Sequence, residues 1–287
     1  MERGDAGLYG PGSEAWRLNR EAMLLLGAGP RALLMQIAHP AVAAGVDQHS
    51  DFRADPWRRL AATLRSYLTI VYGTTAVARA EIRRLNALHR GIVGAGYSAR
   101  DPELSTWVHA TLVDSTIVAF DAWIEPLPRA RRAAFYLETR PIGRAFGVPD
   151  ARLPADIDAF DAYLGEMLAP GGPVQVSPTA RDLAATILHP PLAPLARWLP
   201  PGAGAATVLG RVPAVAYDWT LWPAVGLLPA SIRADYGLSW GPRERLVTRW
   251  LVAGWSAWRP FVPTGFRQMP QALAADRRIE ASDPTGG

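Results

Sequence analysis

Proline stands at the opening of helix-period runs repeatedly along this chain, and in most cases a short polar residue comes just before it. The pairs are Asp55-Pro56, Asp101-Pro102 and Ser177-Pro178, and Pro242 opens a fourth run. The short side chain can accept the free N–H groups of the first turn. Proline at the first helical position has its φ already set and no N–H to leave unsatisfied. The first run stops at Gly73, the second reaches about Trp123, the third ends before Pro190 and the fourth ends near Pro260. Further helical patterns cover about 14–26, 31–38, 75–93, 129–145 and 155–168. Gly27-Ala28-Gly29-Pro30 reads as a glycine stop and a proline start between two helices. Strand signals are confined to Pro173–Val176 and the ambiguous Thr207–Leu209, with no β/α alternation and no internal repeat. The expected fold is all-α: a single irregular bundle of about ten helices over residues 13–280, with disordered tails at 1–12 and 281–287. Residues 190–230 carry many Pro and Gly and read as short helices and turns.

Composition narrows the chemistry. A chain of 287 residues with 49% hydrophobic content can bury one sizeable core. All 30 basic residues are arginine, so a Schiff-base lysine and a Walker-type phosphate lysine are excluded. With Cys 0, there is no disulfide, thiolate nucleophile, cysteine zinc site, iron–sulfur cluster or thiolate-ligated haem. Any metal must be held by His, carboxylate, Tyr or Met, and the five histidines are His39, His49, His89, His109 and His189. The net charge of +4 is dispersed, without a basic block, which argues against nucleic-acid binding. No apolar run reaches the ~18 residues of a spanning helix. Residues Met1–Glu14 lack the apolar core of a signal peptide, and the expectation is a cytoplasmic protein.

The candidate site residues cluster between positions 39 and 109. Arg59 and Thr63, four apart, share a helix face amid Trp57, Leu60, Leu64, Leu68 and Ile70. A buried guanidinium needs a counter-charge. It is either a core carboxylate (Asp47, Asp51 or Asp114, with Thr63 bonding back to its own helix) or an anionic ligand. His89, among Leu85, Leu88, Ile92 and Val93, is either a core histidine bonded to a carbonyl or a ligand. His109 lies on another apolar stripe, with Asp114 and Asp121 on the same helix as possible orienting groups. His39 precedes Pro40 at a helix end, and His49 reads as a loop residue leading to the Asp55 cap. Each is a helix-terminal charge or an acid/base beside a cavity. His189 falls in a surface turn and receives no role. The G-x-G-x-x-A string at Gly27–Ala32 lacks a β-branched strand before it and a parallel-sheet succession after it, so a dinucleotide site is disfavoured. H-E-x-x-H, E-x-x-H and G-x-S-x-G are absent. The tryptophans of the C-terminal third (198, 219, 222, 240, 250, 255 and 258) are read first as core and second as an aromatic channel.

His39-Pro40, Gly45-Val46-Asp47-Gln48-His49-Ser50, Arg59-Leu60-Ala61-Ala62-Thr63 and the downstream His89 together resemble the catalytic domain of the mpaB/rubber oxygenase family. The resemblance spans roughly residues 20–270 and is clearest from Leu33 to about Thr116, including Asp101–Leu104 and Trp107–Thr111. It implies a haem b (iron) cofactor, with His89 as axial ligand and His109 as the alternative. Arg59 and Thr63 would contact the cofactor, and His39 or His49 would steer dioxygen. The implied partners are dioxygen and a lipophilic or isoprenoid-like small molecule, with oxidative cleavage of a C=C bond as the reaction. No lysine exists to take the sixth iron position. Two other readings remain open: a non-enzymatic haem-binding or gas-sensing protein, and a helical scaffold without a cofactor.

Overall fold

In the computed structural model, which describes residues 4–189 and 222–281, the caps form where the prolines announce them. The carboxylate of Asp55 accepts from the Arg58 amide (3.0 Å), that of Asp101 from Glu103 (2.8 Å), and the Ser177 hydroxyl from Ala180 (3.1 Å). Before Pro242, the side chain of Glu244 reaches back to the Gly241 amide at 2.7 Å. The described helices are α1 (Glu14–Leu18), α2 (Leu24–Ile37), α3 (Pro40–His49), α4 (Pro56–Tyr72) and α5 (Thr75–Arg90). Next come α6 (Pro102–Trp123), α7 (Arg129–Ala145), α8 (Ile157–Met167) and α9 (Pro178–Leu188). The C-terminal part holds α10 (Ala230–Asp235), α11 (Pro242–Trp258), α12 (Thr264–Arg267) and α13 (Pro270–Glu280). The fold is all-α; among the described residues the one sheet is an antiparallel pair of two-residue strands, with Val93 opposite Ser98 and Gly94 opposite Tyr97.

Three expectations are corrected. The helix at 14–26 is two helices, separated at Asn19–Met23. Gly27–Pro30 does not break the chain: α2 runs through it, and Pro30 sits inside the helix. Leu26, whose carbonyl loses its helical partner to Pro30, lies at an exposed position where water can serve it. Gly27 has a packing role instead, since a Cβ there would meet the Trp123 indole nitrogen of α6 at 3.2 Å. Residues 173–176 form no strand, whereas the hairpin at 93–98 went unanticipated. Thr207–Leu209, Trp198 and Trp219 lie outside the described residues.

The main core is the seam between α2 and α6, where Leu34, Met35 and Ala38 meet Trp107, Ala110, Val113 and Ile117. Arg31 is carried into this seam with 3% exposure. Its guanidinium meets Asp114 (2.6 Å), the Ser115 hydroxyl (2.8 Å) and the Leu227 carbonyl (2.7 Å). A buried arginine is tolerable only when paired and fully hydrogen-bonded in this way. A second cluster joins Trp16 of α1, Leu68, Val71 and Tyr72 of α4, and Met269, Ala272 and Ala275 near the C-terminus. Backbone bonds clasp the two ends of the chain together: the Ala22 amide donates to the Arg267 carbonyl and Met269 to Arg20, both at 2.8 Å. Beside them Glu21, buried, accepts from Arg259 at 2.8 Å.

Candidate functional site around Arg59 and His89

Helices α4 and α5 pack along one another, and neither makes an extensive contact with α6. The C-terminal half of α4, from Ser66 to Tyr72, is buried in the second cluster. The N-terminal half stands clear: Leu60 is exposed, Trp57 and Leu64 are half-buried, and on α5 Leu88 is exposed. The expected buried environment of Arg59 and His89 is therefore an accessible apolar surface.

Arg59, Thr63 and Tyr67 occupy one face of α4 at successive turns. Arg59 is reachable by solvent, yet the surrounding protein desolvates its guanidinium and lowers its pKa. The three carboxylates considered as its partners are taken: Asp47 by Arg53 (2.8 Å), Asp51 by Arg58, and Asp114 by Arg31. Among the described residues no carboxylate lies within ion-pair reach of Arg59. Thr63 donates its hydroxyl to the Arg59 carbonyl at 3.0 Å, the back-bond expected of threonine in a helix. One turn on, the Tyr67 hydroxyl donates to Asn19 (2.7 Å) and meets Thr116 of α6; burial pushes its pKa up to about 12. Sequence reasoning did not single out Tyr67, although its spacing from Thr63 is readable.

His89 is brought to Arg59. Burial lowers the imidazole pKa, and the positive charge of Arg59 lowers it further, so the ring is neutral at pH 7. Its ring centre lies 6.0 Å from that of Phe146 at the end of α7. His109 projects from α6 toward α7, where its ring would touch a Cβ placed on Gly143. Its Nε2 is buried without a hydrogen-bond partner, and burial brings its pKa down to about 4. Neither expected orienting carboxylate serves it: Asp114 pairs with Arg31, and Asp121 accepts from the Leu127 amide (2.8 Å) and Arg132 (2.8 Å).

The other two histidines have structural positions. His39 caps the N-terminus of α3, its Nδ1 accepting from the Ala41 amide at 3.2 Å, so its proton sits on Nε2. Burial lowers its pKa against the opposing pull of Asp101 and Glu103. His49 is the last residue of α3 rather than part of a loop. It is exposed, its Nε2 donates to the Val93 carbonyl (3.1 Å), and its ring meets Tyr97 edge to face at 6.3 Å.

Among the described residues no three His, Asp or Glu side chains converge as a metal-ligating group. The donors on offer are single, neutral imidazoles. That set suits one axial bond to an iron whose other ligands come from a macrocycle, and does not suit a three-ligand non-haem centre. An open groove of about 720 Å³ on α7 and α8, lined by Arg140, Asp150, Tyr163 and Glu166, contains none of these residues, and its Asp150 is already paired with Arg140 and Arg144.

No curated protein and no solved structure matches the chain. A family model, described as ER-bound oxygenase mpaB/B′/rubber oxygenase, catalytic domain, matches residues 16–258, from the start of the first buried helix to the end of α11. With the all-α fold and the Arg59–His89 face inside that span, the chain belongs to the mpaB/rubber oxygenase catalytic-domain family.

Proposed function

We propose that this protein is a haem b-dependent oxygenase that acts with dioxygen on a lipophilic, isoprenoid-like small molecule, cleaving a C=C bond oxidatively. The observation that carries the proposal is the juxtaposition of Arg59 and His89: a desolvated cation with no carboxylate partner among the described residues, beside an imidazole whose pKa is lowered, in a chain of an oxygenase family. When bound, haem supplies the iron at which dioxygen is activated. The protein residues do the rest. His89 would hold the iron through an unprotonated ring nitrogen, and the Arg59 charge keeps protons from competing for that nitrogen. Arg59 in turn supplies the counter-charge for a propionate, and Thr63 shapes the same polar edge. The apolar flank formed by Leu60, Leu64 and Leu88 is open to solvent in the chain alone and offers its surface to an apolar substrate. His39, with its proton on Nε2, is the hydrogen-bond donor assigned to the dioxygen side, and His49, whose Nε2 proton goes to the Val93 carbonyl, is the second candidate there once that bond is released. His109, whose Nε2 lacks a partner, is the alternative ligand.

The test is an absorption spectrum of protein produced with a haem supply, with and without dithionite and carbon monoxide. It compares wild type with His89→Ala, His109→Ala and Arg59→Ala. The expected result is a Soret band that shifts with carbon monoxide, collapses in His89→Ala and weakens in Arg59→Ala. A band lost only in His109→Ala moves the ligand to α6. A six-coordinate spectrum indifferent to carbon monoxide replaces the oxygenase with a haem-binding protein. A folded, colourless protein that takes up no haem refutes the proposal.

A further inference from the structure

The tryptophans expected to fill a C-terminal core divide between two sides of α11. One stripe of this helix, Glu244, Thr248, Val252, Trp255 and then Arg259, faces the body of the protein. Val252 and Trp255 pack on the main core, Thr248 and Trp255 bury their polar atoms, and Arg259 binds Glu21. The opposite side has no cover among the described residues. Trp250 is 73% exposed and Trp258 70%, with Leu246 and Leu251 exposed beside them. The patch continues past the helix through Phe261, 76% exposed and edge to face with Trp258 at 6.3 Å, to Phe266, 82% exposed. Single exposed apolar side chains are ordinary, but here six large ones recur along one helix and the turn after it.

The charges around the patch indicate what covers it. Arg243, Arg245 and Arg249 border it and are exposed. Arg243 stacks on Trp222 and Arg245 donates to the Trp240 carbonyl, so among the described residues neither is paired with a carboxylate. The one acid in α11, Glu244, is turned to the helix start, where it binds the Gly241 amide. A twofold contact with a second copy would set this arginine-rich face near its own duplicate, whereas a negatively charged surface complements it. Tryptophan and phenylalanine at the level of lipid headgroups, with arginine beside them, form the pattern of a helix that lies in a membrane interface. Among the described residues no helix is long and apolar enough to cross a membrane. The inward stripe also ties α11 to the protein, so contact is by one face only.

We propose that the outer face of α11 and the turn after it, Leu246 to Phe266, docks this protein on an anionic lipid surface. The inference is independent of the haem reading, since it uses none of those residues.

The experiment is co-sedimentation of the full chain with vesicles of phosphatidylcholine alone or mixed with phosphatidylglycerol, at low and high salt, alongside the mass of the free protein in solution. Two variants accompany it: Trp250→Ser/Trp258→Ser/Phe261→Ser/Phe266→Ser, and Arg243→Gln/Arg245→Gln/Arg249→Gln. At low salt, wild type should bind the anionic vesicles at least about tenfold better than the neutral ones, and salt should weaken binding. The arginine variant should lose the preference for anionic lipid, and the aromatic variant should lose binding while its circular dichroism stays unchanged. The proposal is overturned if wild type stays off the anionic vesicles. It is overturned equally if both variants bind as wild type does, or if wild type is a dimer in solution that the aromatic variant dissolves.

Discussion

Acid should destabilise this protein through His109, and the size of the effect follows from its surroundings. The ring lies between α6 and α7 against Gly143, and its Nε2 has neither solvent nor a partner. Burial lowers the pKa from 6.5 to about 4 in the folded protein. The unfolded chain therefore takes up this proton first. Above pH 6.5 neither state is protonated and there is no penalty. As pH falls from 6.5 toward 4, stability falls with it, and below 4 the loss is complete. With those two values the loss is about 2 kcal/mol at pH 5 and levels off near ~3 kcal/mol. His109→Leu removes both the titration and the unpartnered nitrogen, so it should cost little at pH 7. His39 and His89 also have lowered pKa values, but they titrate in both proteins and cancel in the comparison. Urea unfolding at pH 7 and pH 5, followed by circular dichroism, measures the difference. Wild type should lose about 2 kcal/mol more than the variant over that interval. Equal losses would show that His109 is not held neutral by burial, and the reasoning would fail.

Three other outcomes follow from single contacts. Arg31→Met removes the ion pair to Asp114 and the bonds to Ser115 and Leu227 in the α2–α6 seam. It should cost about 3 kcal/mol, read as a Tm lower by about 6–9 °C in a thermal melt; an unchanged Tm would contradict it. Glu21→Gln withdraws the counter-charge of Arg259 and Arg267 at the clasp between the chain ends. Trypsin should then cut after Arg267 sooner than in wild type, with stability lower by about 1–3 kcal/mol. Gly94→Ala places a methyl 2.3 Å from the Tyr97 ring, which must move and give up its bond to Gln48 (2.8 Å). Urea denaturation should show a loss of about 1–2 kcal/mol, and no loss would mean that the hairpin adapts freely.

The helix starts at Pro56, Pro102, Pro178 and Pro242 were legible because a cap and a proline act within one turn. The same local reasoning misjudged Gly27–Pro30. A glycine and a proline weaken a helix locally, but α2 continues through them and packs along α6, where Gly27 provides the close approach to Trp123. The spacing of Arg59 and Thr63 placed them correctly on one face, yet it could not tell Arg59 from Arg31 as the arginine that takes Asp114. Residues 31 and 114 are neighbours only after α2 and α6 pack, and nothing local links them.

The amino-acid sequence by itself determined the all-α class, the arginine-only basic set, the absence of any thiolate chemistry and the small number of imidazoles that can serve a metal. Those properties are local or compositional and survive any arrangement of the helices. The tertiary structure alone decided which histidines have their pKa lowered by burial, that Arg31 and not Arg59 takes Asp114, and that Trp250 and Trp258 face outward while Trp255 faces in. Helical periodicity says which side chains share a face. What that face meets depends on the packing of distant segments, and burial, charge pairing and pKa all follow from that meeting.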